Sequence, residues 1–219
     1  MTTVAIIVAA GKGNRAGGKV PKQWRKIAGK LVVDWSVDAF QNHSLVDFVI
    51  VVLPPNQTLH RDDVMTCVGG KSRSLSVYNG LIAAKSLSPD KVLIHDVARP
   101  AVSENIITDI ISSINEETGA APGLPITDAL WKISDEEVEK TLNRDFIFRA
   151  QTPQGFPYSK ILEAHENKSD EQAFDDVELA KKSGLKVMLK TGHKDNMKIT
   201  TPEDFSKMSK ILVKKLDIK

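Results

Sequence analysis

The sequence predicts an α/β fold, a mostly parallel sheet with helices on both faces, and three observations lead there. Short apolar runs rich in β-branched residues are bounded by turn residues, as buried strands are. Segments with helical spacing of apolar residues alternate with those runs, the pattern of parallel strands joined by crossover helices. A chain of 219 residues is long enough for one sizeable core, so a single domain over 1–219 is expected.

Taken in order, strands are expected at 4–10, 48–53, 64–68, 92–95 and 185–189, and helices at 31–42, 74–86, 103–116, 158–166, 171–183 and 201–216. Two helices carry start signals: Ser103 as N-cap of "SENI", and Thr201 as N-cap of "TPED", with Pro202 in the first helical position and acids in the first turn. Residues 119–153 depart from the rhythm, with "PITDALWKI", the acidic turn "SDEEVEK" and "TLNRDFIFRAQTP". They read as two antiparallel strands joined by a polar turn, too polar for a central position. An arm protruding over about 124–148 and packing on another subunit fits this pattern, and so does an edge hairpin of the same domain.

Composition removes several classes. A net charge of +2 gives no electrostatic case for a nucleic-acid partner. The lone Cys67 excludes an internal disulfide and a cysteine-rich zinc site. The longest apolar runs are too short to cross a bilayer, so no membrane association is expected. Met1 leads almost directly into a strand without an apolar leader, and the expected location is cytoplasmic.

The first strand runs into "AAGKGNRAGGKVPKQW", where residues 11–16 fit the G-x-G-x-x-A fingerprint of dinucleotide-binding folds. That fold needs the glycines to open a long helix whose N-terminus faces a pyrophosphate. Here Gly17, Gly18 and Pro21 would cost such a helix roughly 5 kcal/mol against alanine. A long open loop is expected instead, with Asp34 an exposed acid on the next helix rather than a ribose ligand. Lys12, Arg15, Lys19, Lys22, Arg25, Lys26 and Lys30 fall within nineteen residues that contain no acid. Backbone N–H groups exposed by glycine, combined with this density of cations, suit a polyphosphate. No Walker P-loop is present. Two further polar clusters, "VGGKSRSLSV" and "IHDVARP", also follow expected strands, and ligands of open α/β sheets bind beyond strand carboxyl ends. The three clusters therefore predict one shared crevice. His95 at a strand end reads as structural, while His43, His60, His165 and His193 show no metal-ligand spacing.

"AAGKGNRAGGKVPKQW", "GGKSRSLSV", "HDVARP", "RAQTPQGF" and "DNMKITTPEDF" together resemble the 2-C-methyl-D-erythritol 4-phosphate cytidylyltransferases of the non-mevalonate isoprenoid pathway, from residue 4 to about 205. "DALW" and "AQTPQGF" further resemble members fused to the cyclodiphosphate synthase of the same pathway. The resemblance implies a Rossmann-like fold of the nucleotide-diphospho-sugar transferase type and a CTP-dependent transfer to a small polyol phosphate, releasing pyrophosphate. It implies charge stabilisation by Arg15 and Lys22, and nucleotide binding by Ala9, Ala10, Gly11, Lys12, Gly13, Gly70, Ser76 and Asp96. It assigns the polyol phosphate to Asp96, Arg99, Asp128, Arg144 and Lys198. Mg²⁺ or another divalent cation would be held mainly by the CTP phosphates, with Asp96 as a candidate protein ligand. The arm would reach into a neighbouring subunit of a homodimer.

Read without the resemblance, Lys198 fits a cap on the approach to the last helix, and Arg144 an ion pair with Asp145 or a nearby glutamate on an exposed turn. The chain departs from the family pattern at Ala129, where many relatives have threonine, with Thr127 nearby, and at Phe174, where they have Thr-Asp-Asp in place of Phe174-Asp175-Asp176. Two rival activities remain at this stage: a ribitol 5-phosphate cytidylyltransferase, and a catalytically silent nucleotide-binding protein.

Overall fold

The structure is a computed structural model that describes residues 1–11, 13, 16–18, 20–167 and 173–217. In chain order its elements are β1 (Thr3–Val8), β2 (Lys26–Ile27), β3 (Lys30–Leu31), α1 (Val32–Gln41), β4 (Phe48–Leu53), β5 (Met65–Val68), α2 (Arg73–Ala84), β6 (Lys91–Asp96), α3 (Glu104–Ser113), β7 (Thr118–Pro125), β8 (Leu130–Ser134), β9 (Glu137–Leu142), β10 (Phe148–Ala150), β11 (Gln154–Pro157), α4 (Tyr158–Glu166), α5 (Asp176–Lys182), β12 (Lys186–Thr191) and α6 (Pro202–Asp217).

The main sheet runs β10-β7-β11-β6-β1-β4-β5, with β12 added alongside β7. β6, β1, β4 and β5 run parallel to one another, while β11 enters antiparallel between β6 and β7. β1 lies between β6 and β4, and its side chains enter both cores, Ala5 and Ile7 one and Val4 and Ile6 the other, so "TVAIIV" shows no polar alternation. One core packs Val33, Val37 and Phe40 of α1 and Ile107 and Ile110 of α3 on one face. The other packs Val77 and Leu81 of α2, Ile161 of α4 and Leu179 of α5 on the opposite face. The expected two-faced α/β sheet is present. No helix among the described residues is long and apolar enough to cross a membrane.

The start signals act as read. Ser103 Oγ accepts the Ile106 N–H at the head of α3. At α6, Asp204 Oδ2 reaches back 2.9 Å to the Thr201 N–H, as the acid of a capping box does. No α-helix occupies the described residues between 9 and 31, and a 3₁₀ turn at Lys22–Trp24 and the β2–β3 hairpin stand in its place.

Two expectations need correction. Within 119–153 the first part is not part of an edge hairpin: β7 joins the main sheet and is mostly buried, and the hairpin proper is β8 and β9. Sequence pattern misses β7 and β11 because both are made of small or flat residues. A Cβ on Gly119 would come within 2.6 Å of Phe156 Cδ1, and one on Gly155 within 2.5 Å of Ile110 Cγ2. Close packing selects glycine there, and glycine carries no strand propensity. The helix expected over 171–183 starts at Asp176, because Asp175 caps it through the Glu178 N–H at 3.0 Å. Residues 171 and 172 lie outside the described residues.

Candidate active site

The carboxyl ends of β1, β5 and β6 open on one cleft of about 1000 Å³, with Lys22 and Lys198 in its lining. A second cleft of about 620 Å³, beside α4 and α5, is lined by exposed Lys160, Glu163 and Lys186 and holds none of the residues singled out above.

The glycine loop is anchored to β1 by Gln23. Its buried amide Nε2 donates to the carbonyls of Ala9 and Gly11, both at 2.9 Å. With those carbonyls engaged, the backbone turns at Ala10 and Gly11, which line the cleft. Gly13 takes φ +67°, a left-handed conformation that glycine adopts without strain. Lys22 Nζ donates to the Ile199 carbonyl at 2.7 Å, so the loop's catalytic candidate meets the segment that carries Lys198. Not all loop cations face the cleft. Arg25 stacks on Phe205 and holds the Ala16 carbonyl, and Lys30 pairs with Asp38.

On the opposite wall, the chain leaves β5 through Gly69 and Gly70 into α2. A Cβ on Gly69 would sit 2.3 Å from Ala10 Cβ, so the two walls touch only because this residue is glycine. Ser76 Oγ accepts the Gly70 N–H at 3.1 Å and donates to the Ser72 carbonyl at 2.9 Å, which sets the turn.

Asp96, at the end of β6, forms the charged floor. Its Oδ2 accepts Lys198 Nζ at 2.7 Å, and its Oδ1 accepts Arg73 Nε at 3.2 Å. Arg99 Nε lies 4.0 Å from Oδ2. Burial alone would raise the Asp96 pKa, but the charges of Arg73 and Lys198 overcome it and hold the carboxyl well below the usual carboxylate range. Arg99 is buried, and its guanidinium donates to the carbonyls of Asn196 and Ala150. It fastens the Asp96 turn to the 196–198 segment.

His95 braces that turn from behind. His95 Nε2 lies 3.2 Å from the Arg99 carbonyl, which can only accept, so the ring proton resides on Nε2 and donates there. Nδ1 then accepts the Thr152 hydroxyl at 3.0 Å, while Thr152 Oγ1 accepts the Asp96 N–H. Burial pushes the His95 pKa down to about 3, so the ring is neutral. The structural reading of His95 holds.

The structure brings Ala10, Gly11, Lys22, Gly70, Ser76, Asp96 and Lys198 together along the cleft. Ala9 is buried behind it, and Gly13 lines an adjoining hollow with Ala10 and Gly11. Lys12 and Arg15 lie outside the described residues. Asp128 and Arg144 are exposed on the arm and contribute nothing to this cleft's lining; Arg144 donates to the Thr127 carbonyl. Asp34 sits on α1 within 3.8 Å of Arg61, away from the glycine loop's cleft. Phe174 is 93% exposed, so that departure leaves the two following aspartates in place. Sequence reasoning missed Gln23, Arg73, Asp176 and His165. Arg73 stood inside "GGKSRSLSV", but a basic residue opening a helix gives no local sign of an acidic partner.

Residues 3–214 match the family model of IspD, 2-C-methyl-D-erythritol 4-phosphate cytidylyltransferase. The chain belongs to this family. A 2-C-methyl-D-erythritol 4-phosphate cytidylyltransferase from Cereibacter sphaeroides is 41% identical, with 97% of each chain covered. A bifunctional enzyme IspD/IspF from a Ruegeria species is 45% identical over 99% of this chain. The chain spans 58% of the length of that bifunctional relative. Among solved structures, the 2-C-methyl-D-erythritol 4-phosphate cytidylyltransferase of Francisella tularensis aligns at a TM-score of 0.83 and 28% identity, covering 96% of this chain and all of that one. The fold is therefore the nucleotide-diphospho-sugar transferase type shared by IspD structures.

Proposed function

We propose that this chain joins CTP and 2-C-methyl-D-erythritol 4-phosphate, giving 4-diphosphocytidyl-2-C-methyl-D-erythritol and pyrophosphate. The observation that carries this reading is the ionised Asp96, held between Arg73 and Lys198 on the floor of a cleft walled by the glycine loop. A phosphate oxygen of the polyol attacks the α-phosphorus of CTP. The bond from that phosphorus to the β-phosphate's bridging oxygen breaks, and pyrophosphate leaves. Charge accumulates on the oxygens around phosphorus, so the protein's work is positioning and cation placement. In this reading Lys22 and Arg15 stabilise that charge, and the backbone at Ala10, Gly11 and Gly70, with Ser76, holds the nucleotide. Lys198 orients the incoming phosphate, Arg99 holds the 196–198 segment from behind, and Asp96 orders Lys198.

A divalent cation fits as a companion of the triphosphate. The described residues contain no cluster of three acidic, histidine or cysteine side chains, and Asp96 is already flanked by three cations. Mg²⁺ or another divalent cation would be held chiefly by the CTP phosphates and would supply positive charge against theirs.

The chain works as a homodimer in this proposal. Trp131 and Ile133, two apart on β8, share a face of the arm with Val138, the partner of Ile133 on β9. Trp131, Ile133 and Val138 are 61%, 53% and 52% exposed, a face suited to a second copy. Arg144, on the same arm, would reach the second copy's site.

The test is pyrophosphate release with Mg²⁺ and CTP, run with methylerythritol phosphate and with ribitol 5-phosphate. Turnover with the former alone is expected, and UTP in place of CTP should lower kcat/KM by at least about 100-fold, since a site that hydrogen-bonds one base rejects the other. Turnover only with ribitol phosphate, or none with either, overturns the proposal.

A further inference from the structure

We infer that Asp176 is a positioning residue for this reaction, acting through Arg73 to hold Asp96 in place. The inference rests on the function proposed above. Arg73, the first residue of α2, lies between two carboxylates from different elements, the end of β6 and the start of α5: its Nε donates to Asp96 Oδ1 at 3.2 Å, and its Nη1 to Asp176 Oδ2 at 2.7 Å.

Asp176 has little freedom to move. It is 1% exposed; its Oδ1 meets His165 Nε2 at 3.1 Å, and its own N–H donates to Gln154 Oε1 at 3.2 Å. Gln154 Nε2 in turn donates to Asp175 Oδ2 at 2.9 Å. Both Asp176 oxygens and its backbone donor are therefore committed, and the group fixed by α4, α5 and β11 ends on a single guanidinium. A buried ion pair of this kind contributes little net stability compared with an apolar pair of the same shape. What it does fix is direction. A planar guanidinium gripped on two edges has one orientation, which an ammonium on a flexible stem does not reproduce.

The other end of that guanidinium reaches the cleft. Arg73 lines it, and Asp96 divides its two oxygens between Arg73 and Lys198. Without Asp176, Arg73 loses its second anchor, and its hydrogen bond to Asp96 Oδ1 is no longer fixed in direction. Asp176 touches no cleft surface and acts only through Arg73.

The experiment is a double-mutant cycle on the full chain with CTP and methylerythritol phosphate. Asp176→Asn should lower kcat about tenfold while the KM for CTP changes less than twofold. In an Arg73→Met background the same substitution should change kcat/KM by less than twofold. Losses that multiply, or an Asp176→Asn enzyme within twofold of the parent, overturn the inference. If Asp176→Asn gives no folded protein, Arg73→Lys decides: it should also lose about tenfold, and parental kcat would overturn the inference. A parent that releases no pyrophosphate with CTP defeats the proposed function instead. The link itself is then read from the arginine Nε–H NMR signal of Arg73, ordered in the parent and mobile in Asp176→Asn. An equally ordered signal in the variant overturns it.

Discussion

Lys198 Nζ lies 2.7 Å from Asp96 Oδ2 although the two residues are 102 apart in sequence. The next residue, Ile199, accepts Lys22 Nζ on its carbonyl at 2.7 Å. The segment 198–199 thus ties the end of β6 to the glycine loop and places two ammonium groups on one side of the cleft. Three segments far apart in sequence are held in register by two hydrogen bonds.

Lys22→Ala should reduce kcat by about 100- to 1000-fold, the usual cost of losing one preorganised charge-stabilising donor. Its loop lies outside the main sheet, so circular dichroism should be unchanged. Steady-state pyrophosphate release checks this, and a kcat within about threefold of the parent would refute the role.

Gly69→Ala places a methyl group 2.3 Å from Ala10 Cβ and 2.9 Å from Ser76 Oγ. Separating those walls should cost about 1–3 kcal/mol of stability, the range for overpacking. It should also raise the KM for CTP more than it lowers kcat, because the substitution displaces the nucleotide's walls rather than the cations. Urea denaturation and kinetics together measure both effects.

His95→Gln should alter how stability depends on pH. His95 is neutral when folded, with its pKa pushed down to about 3 by burial, whereas in the unfolded chain it takes a proton near its ordinary value of 6.5. Below pH 6.5 the unfolded state binds the extra proton, so the parent loses about 1.4 kcal/mol per pH unit on this account as pH falls toward 3. The variant should lack that slope between pH 6 and 4.5, where the carboxylates contribute least. Urea titrations at several pH values provide the comparison, and equal slopes would contradict the assignment.

Subunit mixing tests the arm. Arg144→Ala and Lys22→Ala proteins should each be nearly inactive alone, yet recover activity after exchange, because a heterodimer rebuilds one site from intact halves. Random exchange sets a ceiling of about a quarter of parental activity: half the dimers, each with one working site. A fully active monomer in sedimentation, or heterodimers without activity, would count against an arm that crosses between subunits.

Much of this architecture was legible in the sequence. Apolar β-branched runs announced β1, β4 and β6, because a strand buried on both faces must be apolar throughout. Gly17, Gly18 and Pro21 excluded a helix after β1, because their backbone costs are local. The rule that ligands bind beyond strand carboxyl ends was enough to gather Gly11, Gly70 and Asp96 into one cleft. What the tertiary structure alone decided is everything that joins distant segments. β7 and β11 escaped notice because their glycines answer to Phe156 and Ile110 rather than to neighbours in sequence. Arg73 meets Asp176 across 103 residues, and His165 completes a network that no spacing advertises. Propensity and periodicity act over a few residues and survive in the sequence as pattern. A hydrogen bond between side chains on separate elements depends on strand order and helix placement, which exist only once the chain has packed.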